Sequence, residues 1–143
     1  MSIIEKHIEY YPSGKIMEEG ELRDGKYHGT IIRWFESGEK MGEETFYCGR
    51  PIGLWYLWYK NGRKHMEVFY GNYGIKEKWR VWNKDGSKRY EENSDSFGKR
   101  DGEQNSWYDN GQKKSEEYYS SGRKVGKWTY YNEDGTVKEV KEY

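Results

Sequence analysis

Few residues in this chain could carry chemistry, and their spacing narrows what that chemistry would be. The histidines are His7, His28 and His65, and the only cysteine is Cys48. No two histidines fall at a ligand-like spacing, and a lone thiol cannot complete the four-ligand set of a structural zinc site. A nucleophilic Cys48 would need an adjacent base. It lies just before Gly49 in a connecting loop, and the sequence indicates no partner for it. His65 is the one histidine expected in a strand. Equivalent positions carry Met17, Met41, Arg89, Lys114 and Lys138, so it reads as a variable, exposed site. The glutamates are the remaining candidates. Paired carboxylates can run acid–base catalysis when their environments drive their pKa values apart. Glu19, Glu43, Glu67, Glu91 and Glu116 instead recur in equivalent settings. They read as structural, accepting from loop backbone or topping a cross-strand pair with Lys or Arg. The loops Gly49–Gly53 and Gly122–Gly126 are glycine-rich but match no phosphate-binding pattern. The expectation is a chain without catalytic residues, metal or cofactor, and not an enzyme.

The elements that hold these residues follow from self-similarity. Six dipeptides carry turn chemistry: Ser13-Gly14, Ser37-Gly38, Asn61-Gly62, Asp85-Gly86, Asn110-Gly111 and Asp134-Gly135. Their glycines are spaced 24, 24, 24, 25 and 24 apart. Asn-Gly and Asp-Gly suit tight hairpins because both residues tolerate positive φ. Four residues before each glycine stands an aromatic: Tyr10, Trp34, Trp58, Trp82, Trp107 and Tyr131. Five residues after it stands the glutamate column, with Val140 in the last unit. A second glycine follows at Gly29, Gly53, Gly102 and Gly126, with Glu77 breaking that column.

Each unit therefore reads strand, turn, strand, glycine-bounded loop. Segments such as Thr30–Phe35 and Leu54–Tyr59 have the β-branched and aromatic content of strands, and no sustained helical period is present. About six hairpins joined by short loops predict an antiparallel meander of about twelve strands. Such a sheet must twist, so an elongated, coiled, all-β ribbon is expected over residues 1–143 as one domain, with a closed barrel as the alternative. Alternation places Tyr56 and Trp58 on one face, with Ile8, Ile32 and the aromatic column. Trp55 and Leu57 fall on the other, with Ile31, Trp79 and Trp128, a run that Gln104 interrupts.

Composition agrees with a thin sheet. Residues are 33% apolar, 35% charged and 18% aromatic, with 15 Tyr and 7 Trp. A conventional two-layer core would draw on Leu, Ile and Val, which are scarce here. The 25 basic and 25 acidic residues cancel, which argues against nucleic-acid partners and against an anionic membrane surface. A single cysteine fits a reducing compartment. Residues Met1–His7 lack the apolar run of a signal peptide. The chain is thus expected to be cytoplasmic.

The columns resemble MORN repeats, and more closely their bacterial variant. The stretch from Leu54 to Glu67, with its Trp-Tyr-Leu-Trp-Tyr strand and Asn61-Gly62 turn, carries the resemblance. So does Gly126 to Gly135. The likeness covers about His7 to Tyr143. It implies a protein-binding repeat module without cofactor or catalytic residues. Chains made mostly of this variant are similar to antitoxins, which neutralise a partner toxin by binding it, so an antitoxin or immunity protein is the expected function. A structural scaffold or adaptor, or a phage-type inhibitor of a defence enzyme, is the alternative.

A partner is expected where the repeat departs from its pattern. The third unit is the most apolar, and Trp55, Tyr56, Leu57, Trp58, Tyr59, Phe69, Tyr70, Tyr73 and Trp79 are the predicted protein-binding residues. The polar stretch Glu91–Gly98 is expected to form a mobile or kinked edge. Both terminal strands are expected to be open edges through which two copies could dimerise.

Overall fold

The computed structural model describes all 143 residues, which form strands and turns and no helix. The strands are β1 (Ile4–Tyr10), β2 (Ile16–Arg23), β3 (Lys26–Trp34), β4 (Lys40–Tyr47), β5 (Arg50–Pro51), β6 (Gly53–Trp58) and β7 (Lys64–Tyr70). They continue as β8 (Lys76–Trp82), β9 (Lys88–Asn93), β10 (Gly102–Trp107), β11 (Lys113–Ser120), β12 (Arg123–Lys124), β13 (Lys127–Tyr131) and β14 (Val137–Glu142). All belong to one open antiparallel sheet in sequence order. The two-residue β5 and β12 pair only β4 and β11, leaving a main path of the other twelve strands. The meander is as expected, and the barrel alternative is overturned because β1 and β14 do not pair.

The hairpin turns differ from the expectation in one respect. In each, only the glycine has positive φ, for example Gly62 at 81°, and the residue before it does not. Gly62 N–H donates to Tyr59 O, while Tyr59 N–H donates to Arg63 O. This is a type I turn closed by a left-handed glycine bulge, the geometry of three-residue hairpin loops. Asn61 contributes by accepting the Arg63 N–H on Oδ1 at 3.0 Å, not by adopting positive φ. The two-residue turns with both residues at positive φ occur at the opposite end of the strands: Asp24-Gly25, Cys48-Gly49 and Ser121-Gly122.

The exposed area, 8922 Å², exceeds the roughly 7,800 Å² expected of a folded monomer of this mass, and only 12 residues are buried. Both numbers describe a single layer. The buried apolar side chains, Ile31, Phe46, Val68, Val81 and Trp128, all project from one side. We call it the spine face, because rings follow one another along it. Phe46, Trp55 and Tyr70 are linked at 4.8 and 4.7 Å between centroids, and Tyr119, Trp128 and Tyr143 repeat the arrangement at 5.0 and 4.7 Å. Edge-to-face and tilted rings of this kind add about 0.5–1.5 kcal/mol each beyond burial.

The opposite, ladder face carries the aromatic and glutamate columns. Lys40, Lys64 and Lys88 each lay an ammonium group over the ring of the next repeat, Trp58, Trp82 and Trp107, at 5.8, 5.2 and 5.3 Å. Each is also paired with the glutamate three residues on: Glu43, Glu67 and Glu91. These three lysines thus tie their own strands to the following hairpin, whereas Lys113 lies over Trp107 of its own hairpin. A further tie joins the first unit to the second, the third to the fourth and the fifth to the sixth. The hydroxyls of Tyr11, Tyr59 and Tyr108 donate to the carbonyls of Trp34, Trp82 and Tyr131, each at 2.8 Å.

Candidate functional site: the spine face

The spine face is built from strand alternation and from the residues directly opposite each other across the sheet. Moving along it, Met66 faces Val81, Val68 faces Trp79, and Val81 faces Tyr90. Tyr90 faces Ser106, Ser106 faces Ser115, and Ser115 faces Tyr130. In the fifth repeat two serines therefore replace large side chains on adjacent strands. Their hydroxyls bond to each other at 2.6 Å. Two strands at ordinary spacing span about 10 Å, and over that width the spine is cut down to hydroxymethyl groups. The result is a groove of about 580 Å³ with Met66, Trp79, Val81 and Tyr90 as its apolar floor and Ser106 at its far side.

His65, Arg89 and Lys114 stand at the rim of the groove, together with Trp107. They occupy the extra residue of the bulge after each turn, which is why the period-2 pattern does not place them. His65 is stacked on Tyr59 at 4.3 Å, and burial, aided by the charge of Arg89, lowers its pKa. It is half-buried, not the exposed position the sequence suggested. Neither Arg89 nor Lys114 has a carboxylate within 4.0 Å, in contrast to Lys40, Lys64, Lys88 and Lys113.

Two polar clusters lie elsewhere on the same face. Near the start of the array, Glu18 and Glu44 are each 5% exposed and share Arg33. Arg33 Nε donates to Glu18 at 2.8 Å and its Nη1 to Glu44 at 2.5 Å. Glu18 also accepts from Tyr27 and is 2.8 Å from His7 Nε2. Burial pulls the Glu18 carboxyl upward, but the bonds from Arg33, Tyr27 and His7 outweigh it and leave the pKa below the ordinary glutamate value. Glu44 has fewer donors, and burial pushes it above that value. His7, Glu9 and Glu18 offer atoms within 4.8 Å of one another, yet the guanidinium already seated on Glu18 opposes a cation there. The second cluster joins Glu92, Glu117, Arg100, Tyr90, Tyr119 and Tyr130. Tyr90 donates to Glu92 at 2.9 Å and Tyr130 to Glu117 at 3.2 Å. Burial together with these carboxylates pushes each of the two phenols up to about 12.

The predicted binding residues do not form one surface. Trp55, Leu57, Tyr70 and Trp79 belong to the spine face, whereas Tyr56, Trp58 and Phe69 belong to the ladder face. Tyr59 lies past the end of β6 with its hydroxyl on Trp82, and Tyr73 is in a turn, 78% exposed. Glu91–Gly98 is not an edge. Strand β9 is paired on both sides, and Asp95 Oδ1 accepts the backbone N–H groups of Phe97 and Lys99, each at 2.9 Å, to close an ordered turn. All three histidines, not one, lie in strands. Cys48 does have a neighbour, since His28 Nδ1 is 3.7 Å from its sulfur. That nitrogen also accepts the Cys48 N–H at 3.3 Å, so its lone pair caps a turn and is not free to serve as a base. The sequence reading missed Met66, Val81, Arg89, Tyr90, Ser106 and Lys114. The signal available was the pair of serines standing where the third and fourth repeats carry large apolar residues.

Comparison with known proteins agrees with the repeat. The family model described as MORN repeat variant matches residues 6–24, 100–121 and 124–143, which fall in the first, fifth and sixth hairpins. The hairpins between them share the same turns and columns. MORN repeats are in general protein- or membrane-binding modules. No curated protein matches the chain.

Proposed function

We propose that the chain, three of whose hairpins match the MORN repeat variant, is a protein-binding module of the immunity type, which neutralises a partner toxin by direct contact and performs no catalysis of its own. The observation that supports this is the uncovered spine face. Trp55, Leu57, Met66, Tyr70 and Trp79 are only half-buried, since no second layer packs on them. Contiguous apolar surface of this kind marks an interface, and Trp and Tyr are the side chains that dominate binding energy when a partner desolvates them. The open edges of β1 and β14 offer a second route, pairing between two copies.

Affinity purification of the tagged chain from its native cell should recover a stoichiometric protein partner. The partner's toxicity should disappear on co-expression with the wild-type chain and return with a Trp55→Asp/Trp79→Asp variant that still folds by circular dichroism. A partner neutralised equally well by that variant would move the interface off the spine face. Recovery of no partner would count against the function itself.

A further inference from the structure

The groove in the fourth and fifth repeats has a chemistry distinct from the rest of the spine face, and that chemistry specifies an occupant. Its floor is apolar and aromatic: Met66, Val81, Trp79 and Tyr90. Its rim carries Arg89 and Lys114, and no carboxylate lines it. Several other cations near rings are matched internally, although Arg50 over Tyr47 and Lys124 over Trp128 are not. Lys40, Lys64 and Lys88 each have a glutamate, and Arg33 has two. Arg100, one repeat away, lies 3.6 Å from Glu92 and donates to Tyr119. Arg89 and Lys114 are exposed beside an apolar trough with no carboxylate within 4.0 Å, although Lys114 lies 5.6 Å from the Tyr108 ring and both also line an adjoining hollow with Asp109 and Glu133. His65, whose pKa burial lowers, adds a ring edge to the lining.

Building on the protein-binding function, we propose that this groove captures a short acidic segment of the partner, with one large apolar side chain inserted beside Ser106 and flanking carboxylates on Arg89 and Lys114. The serine pair is what makes room. In the equivalent places of the third and fourth repeats stand Leu57 with Met66 and Val81 with Tyr90, which would fill the trough. Carboxylates suit the rim because Arg offers a two-pronged donor set and Lys a mobile third donor, and neither must first break an internal ion pair. A protein segment is favoured over a membrane, since the chain has no net positive charge, with 25 basic and 25 acidic residues, and an anionic lipid surface is held by a basic excess.

The probe is an acetylated, amidated peptide, Gly-Asp-Glu-Phe-Glu-Asp-Gly, with its counterpart in which lysine replaces every acid. Quenching of tryptophan fluorescence should show saturable binding of the acidic peptide only. Affinity should fall about tenfold in Arg89→Glu/Lys114→Glu, as expected for removing and reversing two solvent-screened contacts, and fall similarly in Ser106→Leu, which fills the trough without touching charge. It should be unchanged in Lys64→Glu on the ladder face, and weaken as salt is raised. Equal binding of both peptides, or wild-type affinity in the charge-reversed variant, would overturn the proposal. Sedimentation with phosphatidylserine vesicles in place of peptide binding would overturn it in favour of a membrane. Retention of a native partner by Arg89→Glu/Lys114→Glu would sink this assignment of the groove while leaving the protein-binding function standing.

Discussion

Gln104 Nε2 donates to the carbonyl of Asn93 at 2.7 Å, and the Asn93 N–H returns a bond to Gln104 Oε1 at 3.1 Å. Trp55 Nε1 makes the matching bond to Thr45 O, and Trp128 Nε1 to Tyr118 O, each at 2.9 Å. In all three places the ladder between neighbouring strands has only two register pairs: β4 with β6, β9 with β10, and β11 with β13. A side chain then continues the hydrogen bonding that the backbone drops. Gln104 breaks the tryptophan column in residue type but preserves its hydrogen bond.

Gln104→Leu should therefore cost about 1–2 kcal/mol, because it strands the half-buried Asn93 N–H and leaves the Asn93 carbonyl with the Asp101 N–H as its one donor. Gln104→Trp should cost less, since the indole restores the donor to the carbonyl. Urea unfolding of the two variants checks this; equal losses would show that the amide is not acting in the indole's place.

The shared guanidinium predicts opposite pH behaviour for two glutamates. The Glu18 pKa is lowered in the fold, so its stabilisation is present above the unfolded carboxyl value, about 4.3, and is lost as pH falls through the folded value. Glu44 is raised, so its contribution is full below the unfolded value and declines as pH climbs through its folded one. Glu18→Gln should lose most stability at neutral pH, with the deficit shrinking below about pH 4. Glu44→Gln should compare more favourably with wild type at pH 7 than at pH 4. Arg33→Met, which leaves two buried carboxylates unmatched, should cost about 3–5 kcal/mol at neutral pH. Denaturation midpoints across that range test all three, and parallel pH profiles for the two glutamate variants would refute the asymmetry.

The alternate tyrosine ties can be removed or added. Tyr59→Phe and Tyr108→Phe should each cost about 1 kcal/mol through loss of one hydrogen bond. Phe35 and Asn83 occupy the same place in the untied units. Phe35→Tyr should create the missing bond to the Trp58 carbonyl and stabilise by up to about 1 kcal/mol. Thermal melts suffice, and a destabilising Phe35→Tyr would show that the hairpins do not repeat closely enough to accept it.

At high pH two phenols should resist ionisation. Tyr90 and Tyr130 are pushed up to about 12, above the ordinary value near 10, so the stability they confer is intact below pH 10 and is lost as pH rises through 12. A phenolate absorbance titration should show Tyr90 and Tyr130 among the late-titrating groups, with Tyr27, Tyr70 and Tyr118 also shifted upward. One late group should vanish in Tyr90→Phe and another in Tyr130→Phe, and early titration of all tyrosines would contradict the burial described for this cluster.

The sequence by itself determined the repeat, the strand count of the main path, the open antiparallel meander and the division of residues between faces. These depend on short-range physics: a glycine at positive φ every 24 residues or so, and a side-chain period of two. The lysine–tryptophan ladder was half legible, since its columns were visible but not which lysine meets which ring. What only the tertiary structure decided was everything set by neighbours across the sheet. Arg33 meets Glu18 and Glu44 because β3 lies between β2 and β4 in a particular register. Arg89 and Lys114 reach the groove because bulges after the turns shift them out of alternation. The predicted binding residues, chosen by composition, fell on opposite faces, since period two separates adjacent rings however apolar the stretch. The groove arises where two serines on different strands become opposite neighbours, a relationship that linear spacing does not carry.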